Sequence, residues 1–176
     1  MKILLSIFLL SFTAIAEPLN PHIDAEGFQK LVTASMNERK SDLLTENQFV
    51  MLSKNPDVVV LDARTKEKFD NIHVKGAVHL AFTDFTAEAL AKVIPEKTTT
   101  ILIYCNNNFG GDPVNLACKV ATVSLNLQTY ANLRAYGYTN IKELKPYLDV
   151  RTTKIPMEGL TADSSKNPNP ILTPAR

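Results

Sequence analysis

The chain has 176 residues, with 19 Lys and Arg set against 18 Asp and Glu and a mean hydropathy of −0.05. A formal charge of +1 excludes nucleic acid or an anionic membrane surface as a partner recognised by charge. The length suits one domain with a full core.

The chain opens with Met1-Lys2, an apolar run from Ile3 to Ile15, and Ala14-Ile15-Ala16 before Glu17. One cation, a short hydrophobic stretch and an Ala-x-Ala end predict a secretory signal peptide over residues 1–16. The run is shorter than the ~20 residues of a membrane-spanning helix. Cleavage removes Lys2 and leaves 160 residues, formally neutral, with no membrane partner. The expected location is the periplasm or the exterior.

Residues 17–42 read as a helical extension. Asp24 caps a helix to about Glu38 that carries Phe28, Leu31, Val32 and Met36 on one face. The main domain is expected over residues 43–150. Thr45-Glu46-Asn47-Gln48 has the capping-box pattern, so a short helix follows with Phe49 and Leu52 facing inward. Val58-Val59-Val60-Leu61 reads as a strand buried on both faces, ended by Asp62-Ala63-Arg64. Residues 65–71 form a helical turn, and residues 72–80 carry Gly76 and a short strand. Phe85 to Val93 reads as a helix stopped by Pro95, and Thr99 to Tyr104 as the second buried strand. Asp112 then caps a helix from Pro113 to about Leu125, with a further helical segment from Tyr130 to Ala135 and a last strand at 139–141. Residues 151–176 are assigned to a tail, disordered from Ser164 on. Alternating strands and helices imply an α/β fold, a mostly parallel sheet with helices on both faces and an extra N-terminal helix.

Cys105 stands at the end of Ile101-Leu102-Ile103-Tyr104 and before Asn106-Asn107-Asn108-Phe109-Gly110-Gly111. Ligands of such sheets bind at the carboxyl ends of strands. Backbone N–H groups and a helix N-terminus there favour a thiolate. Asn and Gly tolerate left-handed backbone, so the loop is expected to curl its N–H groups around the sulfur. The alternative is a buried cysteine at a strand end. Cys118 reads as a small residue on the core face of the following helix, with a Cys105–Cys118 disulfide the competing reading. Phe109 either lines the pocket mouth or anchors the loop. His22, His73 and His79 lack metal-ligand spacing, so no metal and no cofactor are assigned.

Val-Val-Val-Leu-Asp-Ala-Arg with Glu67, then His73-Val74-Lys75-Gly76-Ala77, then Ile-Leu-Ile-Tyr-Cys, then Leu133 to Ile141 resemble the rhodanese-like sulfurtransferase family over roughly residues 43–145. The resemblance implies a single rhodanese domain. It also implies that Cys105 accepts a sulfane sulfur from thiosulfate, a mercaptopyruvate-like compound or a persulfide, and passes it to a thiol or similar acceptor. Asn106, Asn107, Asn108, Phe109, Gly110 and Gly111 would form the substrate loop. Asp62 and Arg64, ion-paired with Glu67, would support it, and His73 would serve as a hydrogen-bonded turn residue.

The chain departs from that pattern. Asn108 stands where active members carry Gly, and residues 106–111 contain no Lys, Arg, Ser or Thr, which counts against the thiosulfate dianion. Asn side-chain amides are the expected substitute donors. Gly111 stands where Cys-x5-Arg phosphatases carry Arg, which excludes that chemistry. The usual Gly-Gly-x-x-x-Trp closing segment is replaced by Lys145 to Arg151. Two other functions remain open: a non-catalytic module binding a small anion or partner protein, and a thiol redox element in which Cys118 resolves Cys105.

Overall fold

The computed structural model describes residues 20–163, so the signal peptide expected over residues 1–16 and the disorder expected from Ser164 on lie outside the described residues. Helix α1 (Ala25–Arg39) begins where the Asp24 carboxylate accepts from Gly27 N–H at 2.7 Å. A two-residue strand β1 (Leu43–Leu44) leads to α2 (Glu46–Leu52), whose capping box closes between Thr45 and Gln48. Strand β2 (Val58–Asp62), helix α3 (Lys66–Asn71) and the short strands β3 (His73–Val74) and β4 (Val78–His79) follow. Helix α4 (Ala87–Val93) precedes the central strand β5 (Thr100–Tyr104). Beyond it come β6 (Phe109–Gly110), α5 (Leu125–Ala135), β7 (Ile141–Leu144), β8 (Leu148–Asp149) and β9 (Met157–Glu158).

The main sheet has the order β1-β7-β5-β2-β4, and every neighbouring pair is parallel. Asp62 therefore lies level with Tyr104, so the carboxyl ends of the strands gather on one side. Residues of β2 and β5 alternate between two cores. Val60, Leu102 and Tyr104 pack with Phe49 and Ile72 on one face. Leu61, Ile101 and Ile103 pack with Leu90, Tyr130 and Leu133 on the other. Helices thus cover both faces, as the sequence predicts.

The N-terminal helix is tied down by charge as well as packing. Glu38 pairs with Arg134 of α5 at 2.6 Å, and Arg39 pairs with Glu143, which is buried on β7. Residues 151–163 are also part of the packed structure. Strand β9 pairs antiparallel with β3, and Ile155, Met157 and Ala162 complete the first core.

Two carboxylates clip this C-terminal segment to the domain. Glu46 accepts from Thr153 Oγ1 and Lys154 N–H, each at 2.6 Å, and the Thr153 hydrogen bond holds it below the usual carboxylate range. Glu158 accepts from Gly76 N–H at 2.8 Å, which lowers it likewise. Both groups titrate lower folded than unfolded. Their contribution is complete above the ordinary carboxylate range and is lost as pH falls through the folded values. Hydrogen exchange of residues 153–162 is therefore expected to accelerate ahead of β2 and β5 as pH falls below the ordinary carboxylate range. Simultaneous loss of protection in both regions would contradict this.

Candidate active site

Strand β5 delivers Cys105 to the carboxyl edge of the sheet, where the residue is 1% exposed. Its sulfur lies 3.4 Å from Ser124 Oγ, at the N-cap of α5. The helix N-terminus facing the sulfur is therefore that of α5 and not of a helix beginning at Pro113. Asp112 does cap a single turn, accepting from Val114 and Asn115 N–H, but no helix propagates from it. Residues 112–120 instead form an irregular strap, and a short 3-10 turn at Ala121–Val123 leads into α5.

The loop after Cys105 also differs from expectation. Asn106–Asn108 form a right-handed 3-10 turn, and no described non-glycine residue has positive φ. The three asparagines use their side chains as braces. Asn106 accepts from Arg64 Nη1 at 3.3 Å and donates to Ala117 O at 3.1 Å. Asn107 donates to Lys119 O and accepts from Lys119 N–H, at 2.8 and 2.9 Å. Asn108 is buried; its Oδ1 accepts from Cys105 N–H at 2.9 Å and its amide donates to Leu144 O at 2.7 Å. The Asn108 amide is engaged twice within the protein, at Leu144 O and Pro146 O, so it is not a substitute donor, while Asn106 and Asn107 each commit one amide N–H to the strap. Phe109 is fully buried, edge-on to Tyr104 at 5.9 Å, so it anchors the loop. Gly110 and Gly111 lead away from the sulfur into the β6–β8 pairing. Gly111 has φ +93°, and a Cβ there would meet the Asp149 carboxylate.

Beneath the loop, Asp62 and Arg64 form a bidentate pair with contacts of 2.6 to 3.1 Å. Arg64 also donates to Ile72 O at 2.6 Å, and Tyr104 donates its hydroxyl to Asp62 Oδ2 at 2.5 Å. Burial works to lower Arg64, but the Asp62 hydrogen bonds and charge hold it above its ordinary value. Burial also pushes the Tyr104 hydroxyl well up, so it acts as a donor. The expected third partner is absent from this network. Glu67 is exposed in the first turn of α3 and takes no part, because every Arg64 nitrogen is already committed to Asp62, Ile72 or Asn106. His73 stacks on Phe69 with ring centroids 3.8 Å apart, with Nδ1 2.6 Å from Phe69 O.

A cavity of about 350 Å³ opens over Cys105. Ala81, Phe82 and Leu125 are apolar residues of its lining, and Arg64, Lys68 and Lys119 are its basic ones. Lys68 comes from α3 and donates to Val114 O at 2.7 Å, fixing the strap. Lys119 comes from the strap itself. Among the described residues neither lysine is paired with a carboxylate. Neither lies among the six residues after Cys105, so the sequence of that loop carries no sign of them. Cys118 is an exposed strap residue and not a buried helical one; its thiol points at Asn106 O at 3.7 Å, and both cysteines are free. Among the described residues no helix is long and apolar enough to cross a membrane.

No curated protein sequence matches the chain. Among solved structures, a rhodanese from E. coli, determined with anions, is 20% identical with a TM-score of 0.38, covering 58% of this chain and 98% of its own. The polysulfide-sulfur transferase homodimer of Wolinella succinogenes is 18% identical with a TM-score of 0.42, covering 70% and 88%. The BH2092 protein of Bacillus halodurans is 15% identical with a TM-score of 0.48, covering 74% and 86%. The sequence profile of the rhodanese-like domain matches residues 45–146, more than half of the chain and the span that carries four of the five strands of the main sheet, the Asp62–Arg64 pair and Cys105, and the chain belongs to the rhodanese-like domain family.

Proposed function

We propose that this protein is a sulfurtransferase working through a persulfide on Cys105. The observation that carries the reading is a cysteine sulfur set between the N-terminus of α5 and a cavity whose lining includes Lys68 and Lys119. The Cys105 thiolate attacks the outer sulfur of an anionic donor. A new S–S bond forms, the donor's own bond to that sulfur breaks, and the leaving group departs with the electron pair, as sulfite when the donor is thiosulfate. An acceptor thiolate then attacks the outer sulfur of the persulfide and regenerates the Cys105 thiolate. Dividing the transfer in two is nucleophilic catalysis, and the α5 terminus and both lysines supply fixed positive potential to the anionic states.

The positive charge missing from residues 106–111 thus comes from α3 and the strap. This removes the sequence argument against thiosulfate and leaves anionic donors as the favoured class. The leader-like residues 1–16 support the reading of an exported protein, for which a small sulfur donor and a thiol acceptor are the proposed partners.

Intact mass spectrometry after incubation with thiosulfate, mercaptopyruvate or glutathione persulfide tests the reading. The expected result is the gain of one sulfur, reversed by a thiol. No gain with any donor, while Cys105 remains free to alkylation, would overturn it in favour of a binding module. Lys119→Glu is expected to slow loading from thiosulfate about tenfold, because charge at a cleft mouth governs the encounter with a dianion. An unchanged rate would remove Lys119 from the site.

A further inference from the structure

A line of buried hydrogen bonds runs from α1 to the backbone of Cys105. Arg39, the last residue of α1, donates from Nη2 to Glu143 Oε1 at 2.7 Å. The same oxygen accepts from Asn126 Nδ2 at 3.1 Å, in the first turn of α5. Asn126 Nδ2 also donates to Asn108 Oδ1 at 2.9 Å, and that oxygen accepts the Cys105 N–H at 2.9 Å. Glu143 is 3% exposed and Asn126 2%. A carboxylate so deeply buried requires a cation, and a single guanidinium provides it here. Arg39 lies outside the matched span of residues 45–146, so it comes from this chain's own N-terminal extension.

We propose that Arg39 is a positioning residue for Cys105, and that with Glu143 it forms a charge pair beneath the loop that sets the reactivity of the thiol. With Arg39 in place the pair is neutral, and the Cys105 sulfur is governed by Lys68, Lys119 and the α5 terminus above it. Arg64 is already matched by Asp62. Without Arg39, the Glu143 charge reaches the loop unopposed through Asn126 and Asn108 and disfavours the thiolate. Without the Glu143 charge, the Arg39 cation acts in the opposite direction. The hydrogen bond that Arg39 donates to Glu143 holds its guanidinium above its ordinary value.

The proposal deepens the sulfurtransferase reading, but its test does not depend on sulfur transfer. Alkylation of Cys105 by iodoacetamide is measured against pH in Cys118→Ser, Cys118→Ser/Arg39→Ala, Cys118→Ser/Glu143→Gln and the variant carrying all three changes. Thermal melting of each accompanies the rates. At neutral pH the expected change is about threefold to tenfold slower for Arg39→Ala and faster by a similar factor for Glu143→Gln. The combined variant should return close to the background rate. Opposite signs identify charge, because mere loosening of the loop moves both variants the same way. Shifts of the same sign, unchanged rates, or a combined variant as slow as Arg39→Ala would each overturn the proposal. If this charge pattern holds while no donor loads sulfur, the sulfurtransferase reading alone fails.

Discussion

Cys105→Ala is expected to lower sulfur transfer at least about a thousandfold while leaving the fold in place. The two effects separate because the sulfur's polar contacts, with Ser124 Oγ and the Asn108 N–H, are weak ones, while the Cys105 backbone N–H is held by Asn108 Oδ1. Removing one buried sulfur costs about 1 kcal/mol, a few degrees in melting temperature. Transfer assays and a melting curve on the same preparation read both quantities. Transfer at the wild-type level from the alanine variant would end the persulfide mechanism. Cys118→Ser serves as the companion. Its thiol is exposed and points at Asn106 O, and Cys118 is not itself among the residues that line the cavity, so transfer should persist. Loss of transfer in that variant would instead favour the redox element.

Arg64→Ala is expected to have the largest effect on stability, about 3–5 kcal/mol. That is a large share of the ~5–15 kcal/mol that holds a domain together. The cost arises because Asp62 is fully buried, and loss of the guanidinium leaves its charge without a cation. Ile72 O and Asn106 Oδ1 lose a donor as well, so the base of the Cys105 loop is loosened. Replacing both members together, as Asp62→Asn/Arg64→Met, should recover part of the loss, since the unpaired charge is then gone. Urea unfolding reads both variants. A loss below about 1 kcal/mol for Arg64→Ala would show that the pair behaves like an exposed one.

The sheet was legible because β2 and β5 are written as continuous apolar runs, which only a strand covered on both faces tolerates. The ends of α1 and α2 were legible because Asp24 and Thr45 cap locally. The two-residue strands were not, since a pair of residues carries no periodicity. The helix expected from Pro113 failed for a specific reason. Asn106 and Asn107 capture Ala117 O and both backbone groups of Lys119, and Lys68 captures Val114 O. Those are groups a helix would need for its own bonds, and side chains that compete for them break helices. The exposure of Val114 and Val120 shows how little burial opposed that outcome. Cys105 follows from strand-end logic, but the sequence does not tell whether its loop asparagines turn their amides to a ligand or to the protein's own carbonyls, and in the fold they brace the strap and β7. Glu143 did carry a signal: an acidic residue between Ile141 and Leu144 in a buried strand implies a cation arriving from elsewhere in the chain.

The order of the main sheet has a further consequence, for behaviour in concentrated solution. Its two outer positions are held by β1 and β4, each only two residues long, while the long strands β2 and β5 lie inside. An incoming chain finds too few unpaired backbone groups at either border to build a ladder. Of the apolar segments most prone to self-association, Thr100–Tyr104 is flanked by β2 and β7, and Val58–Asp62 is paired with β5 along its whole length and capped on its other side by β4 at Leu61 and Asp62, so they become full templates for aggregation when the domain opens.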